Sequence, residues 1–140
     1  MIVVDASVAV KWLFDEADSG DARELLNRHD QLQAPDLMLS EVGGAIVRRV
    51  NERVITREDG DAIAAAWTGL WASSVLGTHP LDGLMAGRAM SFAMLLGHPL
   101  PDCIYLALAM ELDCPLITAD RKFALRASTI HNRILILGDV

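Results

Sequence analysis

Residues 1–14 read MIVVDASVAVKWLF, and this stretch decides the class of fold. Ile2–Val4 is a short run of apolar, β-branched residues, which predicts a strand that ends at Asp5. Residues 6–14 follow at once, with apolar side chains at the spacing of a helix. A strand that passes directly into a helix is typical of an α/β protein.

The same alternation continues along the chain. Further short strands are predicted at 33–34, 75–76, 115–118 and 134–137. Helices are predicted from Asp18 or Ser19 to about 28, from 35–36 to about 53, from Thr56 or Asp59 to about 74, from 83 to 96 after a cap at Asp82, from Asp102 to about 112, and from 121 to 127. Apolar strands that alternate with helices predict a parallel sheet covered on both faces, within one three-layer α/β domain over residues 1–140.

The composition agrees with one folded domain. The 140 residues are 52% hydrophobic, with a mean hydropathy of +0.31, which supplies one core and argues against disorder. Charged residues and His98 interrupt the apolar runs before they reach the roughly 18 residues of a membrane span, and we expect no signal peptide. Cys103 and Cys114 lie among apolar residues and are predicted to be buried thiols in a reducing cytoplasm, with a disulfide or a metal pair as the alternative.

The charge of the chain is unfavourable for a protein that binds nucleic acid, because the net charge is −7. Two features reduce this objection. Ten of the basic residues are Arg, whose guanidinium binds phosphate through paired hydrogen bonds. The basic residues also cluster, at 48–57 and at 121–138, where the second stretch contains no acidic residue. These clusters are either phosphate-binding surfaces or ordinary solvated helix faces.

Four acidic residues stand near predicted strand and helix ends. Asp5 directly follows the first predicted strand, and Asp120 follows the strand at 115–118. The carboxyl ends of parallel strands share one edge, where α/β proteins bind ligands, so we expect both there. Glu41 lies in the first two turns of one predicted helix and Asp102 at the start of another, and spacing alone does not bring them to that edge. Helix capping is the alternative role for the three aspartates, and surface exposure for Glu41.

Carboxylates that do meet in a cleft repel one another and raise each other's pKa unless a cation lies among them. A site made only of oxygen ligands suits Mg²⁺ or Mn²⁺. The sequence contains no C-x-x-C pair, and its four histidines show neither H-x-H nor H-x₃-H spacing. A zinc site is therefore not expected at His29, His79, His98 or His131.

Four stretches together resemble the PIN domain, and most closely the VapC-type toxins of bacterial toxin–antitoxin pairs. They are VVDAS at 3–7, PDLMLSEV at 35–42, LPDCIYLALA at 100–109 and LITADRKF at 116–123. The resemblance covers essentially the whole chain, in the order and at the spacing usual for that family. It implies a parallel sheet of about five strands flanked by helices, usually in a homodimer.

The resemblance further implies an endoribonuclease that depends on Mg²⁺ or Mn²⁺ and is blocked by a small antitoxin protein encoded beside it. The family's acidic metal ligands, of which the fourth is the most variable, match Asp5, Glu41, Asp102 and Asp120. Ser7 matches a hydroxyl residue that supports the site, and Thr118 is expected to do the same.

In the hypothesis that follows, a metal ion activates water for in-line attack on the scissile phosphate. Asp5, Asp102 and Asp120 bind the ion, and Glu41 is either a further ligand or orients the water. A basic residue is expected to steady the developing charge, and the sequence leaves open whether it is Lys11, Arg48 or Arg121.

The helix predicted from 35–36 to about 53 contains two residues that form helices poorly. Gly43 and Gly44 directly follow the segment around Glu41, and each weakens a helix by about 1 kcal/mol relative to Ala. We interpret the pair as a place where two helices pack closely.

Two other functions fit parts of the sequence. An Asp after the first strand is also the nucleophile of haloacid-dehalogenase-like phosphatases, although Ser7 stands where that family has a second Asp. Alternatively, the chain is a non-catalytic module that binds a protein partner through the apolar stretches at 67–71 and 84–96. Core and a dimer interface are the other interpretation of those stretches.

Overall fold

The computed structural model describes residues 1–28 and 31–139 of the chain. Strands and helices alternate along the described residues, as the sequence predicts. They are β1 (Ile2–Val4), α1 (Ala6–Leu13), α2 (Ser19–Asn27), β2 (Leu32–Pro35), α3 (Leu37–Asn51), α4 (Arg57–Ala72), β3 (Leu76–His79), α5 (Gly83–Leu96), α6 (Leu100–Glu111), β4 (Leu116–Thr118), α7 (Arg121–Ala127) and β5 (Ile134–Ile136). His29, one of the histidines considered above, lies outside the described residues.

The five strands form one parallel sheet in the order β3-β2-β1-β4-β5. The first strand of the chain is therefore the central one. It pairs with β2 on one side and with β4 on the other, where Val4 lies opposite Ile117. This order places the carboxyl ends of β1 and β4 side by side.

Both faces of the sheet are covered, because every residue of β1 and of β4 is buried. Helix α6 packs against β1, β2 and β4, and its seven successive residues Cys103–Ala109 are buried. The predicted three-layer α/β fold is thus confirmed, and so are the buried thiols of Cys103 and Cys114, which are both free. Over the described part of the chain, no single helix is long and apolar enough to cross a membrane, although α5 and α6 taken together, across a bend of 116°, pass the same test.

The helix ends agree with the sequence in most places and differ in three. Helix α3 begins at Leu37 rather than at 35–36, because Pro35 still belongs to β2. Asp82 caps α5 by accepting a hydrogen bond from Met85 N, and Gly97 ends that helix in the left-handed conformation that glycine favours. Asp18 precedes α2 but makes no capping hydrogen bond, contrary to one of the predicted caps. Helix α6 begins at Leu100 rather than at Asp102, so Asp102 lies inside its first turn and does not cap it.

Our interpretation of Gly43 and Gly44 is wrong. A β-carbon added at either position would meet no atom within 4 Å, so the pair does not mark a close helix contact. The two glycines instead line a groove of about 570 Å³ between α3 and α4, whose other walls include Leu39, Val47 and Trp67. The absence of side chains at these two positions widens the groove and does not bring the two helices closer together.

Candidate active site

The site lies at the carboxyl edge of the sheet, where β1 passes into α1 and β4 into α7. Asp5 is the first residue after β1, and its backbone N–H donates to the carbonyl of Ile117 in β4. Asp120 follows β4 by two residues. The two aspartates therefore lie on the same edge of neighbouring strands, as their positions in the sequence predict.

Asp5 is almost completely buried, with 2% of its surface exposed. Its Oδ1 accepts hydrogen bonds from Ser7 Oγ and from Val8 N, so the residue also caps α1. Burial raises the pKa of Asp5 to about 6, and the charge of Asp102 adds to the rise, while the hydroxyls of Ser7 and Thr118 oppose it. The side chain of Asp5 thus both caps α1 and has a raised pKa.

Ser7 and Thr118 connect the two strand ends around Asp5. While Ser7 Oγ donates to Asp5, it accepts a hydrogen bond from Ala119 N at 3.0 Å and lies 3.3 Å from Thr118 Oγ1. Thr118 Oγ1 in turn accepts from Asp120 N at 3.1 Å. Both hydroxyl residues therefore lie at this edge beside Asp5, and their supporting role stays a prediction.

Glu41 reaches the site from α3, and a tyrosine of α6 holds it. Tyr105 is fully buried, and its hydroxyl donates to Glu41 Oε1 at 2.6 Å. Burial of Glu41 raises its pKa, the hydrogen bond from Tyr105 lowers it, and the charge of Asp102 raises it again. Burial and the neighbouring carboxylate of Glu41 raise the pKa of Tyr105, so its hydroxyl keeps its proton and remains the donor.

Asp102 interacts with both of the other carboxylates, since its negative charge raises the pKa of Asp5 and the pKa of Glu41. Its side chain is 35% exposed, and Oδ2 lies 2.6 Å from Nε2 of His98, four residues earlier. Because Asp102 and Tyr105 are three residues apart on α6, one helix face presents both the central carboxylate and the donor that holds Glu41.

Asp120 is placed differently from the other three acids. It is exposed, and its Oδ1 accepts a hydrogen bond from Phe123 N at 3.1 Å, which makes it the cap of α7. The alternative capping role is thus observed for Asp120, beside a location at the shared edge. Its role as a fourth metal ligand stays a prediction.

The carboxylates form an open group. Within residues 1–28 and 31–139, no three acidic, histidine or cysteine side chains lie close enough together to enclose one metal ion. Mg²⁺, however, usually keeps several waters and takes only one or two protein carboxylates together with substrate phosphate. Oε2 of Glu41 and Oδ1 of Asp102 accept no hydrogen bond from the described residues. These two carboxylate oxygens are therefore available as metal ligands. Because the carboxylates also repel one another, their chemistry suits a hard cation such as Mg²⁺.

The three basic residues considered above differ in how they are placed. A cavity of about 360 Å³ beside Ser7 and Asp120 is lined by Lys11 and Arg48, but not by Arg121. Lys11 Nζ is occupied, because it donates to the carbonyl of Ala17 at 2.7 Å. Arg121 forms an ion pair with Asp139 at 3.5 Å. Arg48 is exposed and has no ion pair with a described residue.

Sequence reasoning missed His98 and Tyr105, the two side chains that hold Asp102 and Glu41. A weak signal was present, because the two residues lie four positions before and three positions after Asp102, at the spacing of neighbours on a helix. That spacing does not identify the partner of Tyr105, because Glu41 belongs to a different helix, α3.

Residues 2–128 match the family described as the PIN domain. The chain belongs to the PIN-domain family. This domain is 32% identical over 124 residues to VapC ribonuclease Mb0985 of Mycobacterium bovis, an alignment that covers 89% of each chain. The relationship removes the phosphatase alternative, in agreement with Ser7, whose hydroxyl supports Asp5 where a second Asp would stand.

Solved structures show the same fold at lower sequence identity. The PIN domain superposes on the VapC20 toxin of Mycobacterium tuberculosis with a TM-score of 0.74 at 17% identity, covering 89% of this chain and 94% of that one. A toxin–antitoxin complex from Klebsiella pneumoniae matches with a TM-score of 0.66 at 16% identity over 96% of both chains. The expected sheet of five parallel strands flanked by helices is therefore that of the VapC structures.

The buried carboxylate of Asp5 predicts a gain in stability when its charge is removed. Its ordinary pKa of 3.8 rises to about 6 in the folded protein, so folding takes up a proton between these values and stability falls as the pH rises through them. Above pH 6 the cost is constant, at up to about 3 kcal/mol. Asp5→Asn should therefore raise the free energy of unfolding at pH 7 by about 1–3 kcal/mol, without added metal, and by progressively less towards pH 4.

Urea unfolding in EDTA between pH 4 and pH 8 measures this difference. Asp82→Asn is the matched control, since Asp82 also caps a helix but is exposed, and its stability should follow that of the wild type. An Asp5→Asn protein that is less stable than the wild type at pH 7 would show that the buried charge is satisfied by the protein alone.

Proposed function

We propose that the chain is an endoribonuclease that depends on Mg²⁺ or Mn²⁺ and acts as the toxin of a type II toxin–antitoxin pair. The observation that carries the proposal is the group of interacting carboxylates at the sheet edge, in which the charge of Asp102 acts on Asp5 and on Glu41. The ribonuclease name of the Mycobacterium bovis relative, at 32% identity over most of both chains, supports the reaction.

In this proposal Asp5, Glu41 and Asp102 hold the ion, partly through water. A bound Mg²⁺ or Mn²⁺ lowers the pKa of water towards neutrality and polarises a phosphate oxygen. Ser7 and Tyr105 each hold one carboxylate oxygen of Asp5 and Glu41 in place. Asp120 lies at the rim of the site, where it caps α7 and its exposed carboxylate would contact the ion through a water molecule.

Arg48 is the basic residue that we propose for the phosphate. It lies seven residues after Glu41 on α3, which places both on one face of that helix, and the small Ala45 between them leaves room in the cavity. Arg49 is less suited, because it pairs with Glu16 at 2.6 Å and lies over the ring of Phe14. A guanidinium without an ion pair is the one best able to bind a substrate phosphate.

Removing the charge of Asp102 tests the nuclease directly. Asp102→Asn should lower the rate of RNA cleavage by more than about 100-fold, because it removes a proposed ligand rather than an outer partner. Excess EDTA should abolish cleavage by the wild type, and Mn²⁺ should restore it. Asp82→Asn, a remote helix-cap variant, is the control and should cleave at the wild-type rate.

Full activity of Asp102→Asn, or activity that persists in EDTA, would contradict the metal-dependent mechanism. A wild-type protein that neither cleaves RNA nor binds Mn²⁺ would support the non-catalytic interaction module instead.

Arg48 can be tested in the same assay. Arg48→Gln should raise KM for RNA by roughly tenfold with a smaller change in kcat, because a lost phosphate contact weakens binding of the ground state and of the transition state alike. Arg121→Gln is the matched control, since Arg121 is exposed but does not line the cavity. Equal effects of both substitutions would show that bulk charge rather than position matters.

We further propose a small antitoxin as partner, homodimerisation and a cytoplasmic location. The Klebsiella pneumoniae structure that matches this fold is a toxin–antitoxin complex, which supports the first of these. The apolar groove beside Gly43 and Gly44 offers a surface for an apolar antitoxin segment. Leu84, Met94 and Leu95 of α5 are largely exposed, which supports a second apolar interface between two copies.

A further inference from the structure

His98 lies between a carboxylate of the site and an arginine of another helix. Its Nε2 is 2.6 Å from Asp102 Oδ2, and its Nδ1 is 3.1 Å from Arg126 Nη1. The imidazole is 5% exposed and stacks on the ring of Phe123, with the ring centroids 4.9 Å apart. Both nitrogens and one ring face are therefore occupied.

These partners fix which ring nitrogen carries the proton. A guanidinium can only donate hydrogen bonds, so Nδ1 of His98 must accept from Arg126 and carry no proton. Nε2 then bears the hydrogen of the neutral ring and donates it to Asp102. Arg126 thus makes His98 a neutral donor that points at the carboxylate.

Arg126 and Phe123 both belong to α7, and Arg126 also donates to the carbonyl of Gly97 at 2.9 Å. The position of His98 is therefore set by α7 and by the end of α5, not by α6, which carries Asp102. Since the ring is fixed from outside α6, it can define the rotamer of the Asp102 side chain.

We propose that His98 is a positioning residue for the metal site: fixed by Arg126, it holds Oδ2 of Asp102 and leaves Oδ1 directed to the cation. The inference rests on the proposed metal-dependent function. A neutral donor orients the carboxylate without cancelling the charge that attracts the cation, which a direct contact with Arg or Lys would do.

Two substitutions separate the donor from the ring. His98→Phe keeps a ring against Phe123 but has no N–H, and the half-buried Arg126 can still reach water. His98→Gln replaces the ring but carries an amide nitrogen the same number of bonds from Cα as Nε2. His131 provides the control, because its imidazole is also buried but contacts the carbonyl of Cys114, before the start of β4 and thus at the opposite edge of the sheet.

The measurement is isothermal titration of the full chain with Mn²⁺, together with the melting temperature of each variant. His98→Phe should bind Mn²⁺ about 10- to 100-fold more weakly than the wild type, as expected for loss of an outer partner of a ligand. His98→Gln should recover affinity to within roughly threefold, and His131→Gln should bind like the wild type. Raising the Mn²⁺ concentration should restore RNA cleavage by His98→Phe.

Wild-type affinity in His98→Phe would overturn the inference. Equal losses in His98→Phe and His98→Gln would also overturn it, since they would make the imidazole a packing element. Asp102→Asn distinguishes these failures from failure of the proposed function: if the wild type binds Mn²⁺ and Asp102→Asn does not, the metal site stands whatever His98 does. If the wild type binds no Mn²⁺, both proposals fall.

Discussion

A buried carboxylate on the central strand is the constraint on which the site depends. Asp5 ends β1, which has neighbours on both sides in the sheet, and helices cover both faces there, so its side chain cannot turn out to water. Hydrogen bonds from Ser7 and Val8 compensate only part of the lost hydration, and the pKa stays raised. Such a group persists at a cost to stability, which is common where function requires the charge.

The three interacting carboxylates share one design. Each accepts a hydrogen bond from a neutral side chain, which is Ser7 for Asp5, Tyr105 for Glu41 and His98 for Asp102. Neutral donors fix the orientation of a carboxylate but leave its negative charge for a cation. Ser7 lies in the first turn of α1, Tyr105 lies in α6 and His98 lies in the turn between α5 and α6, so several elements must pack correctly before the site exists.

How far the sequence predicts this site depends on how local each signal is. Asp5 and Asp120 could be placed at one edge because strand ends are local patterns and the carboxyl ends of parallel strands meet. The placement of Glu41 and Asp102 at that edge came from the family resemblance alone, since helical spacing does not show which helix faces the edge. Tyr105 was missed because its hydrogen bond to Glu41 joins two helices and leaves no local pattern, whereas the four-residue spacing of His98 and Asp102 was a local signal that we did not use. Gly43 and Gly44 misled us, since a helical glycine pair looks the same beside a neighbour or beside open space.

Crystals of the protein soaked in Mn²⁺ provide the most direct test that these carboxylates share a cation. Anomalous scattering from manganese locates the ion without assumptions about its ligands. We expect one peak at the carboxyl edge of the sheet, adjacent to carboxylate oxygens of Asp5 and Asp102 and on the side that Glu41 faces. No peak at this edge in millimolar Mn²⁺, or a peak only elsewhere on the surface, would contradict a shared cation.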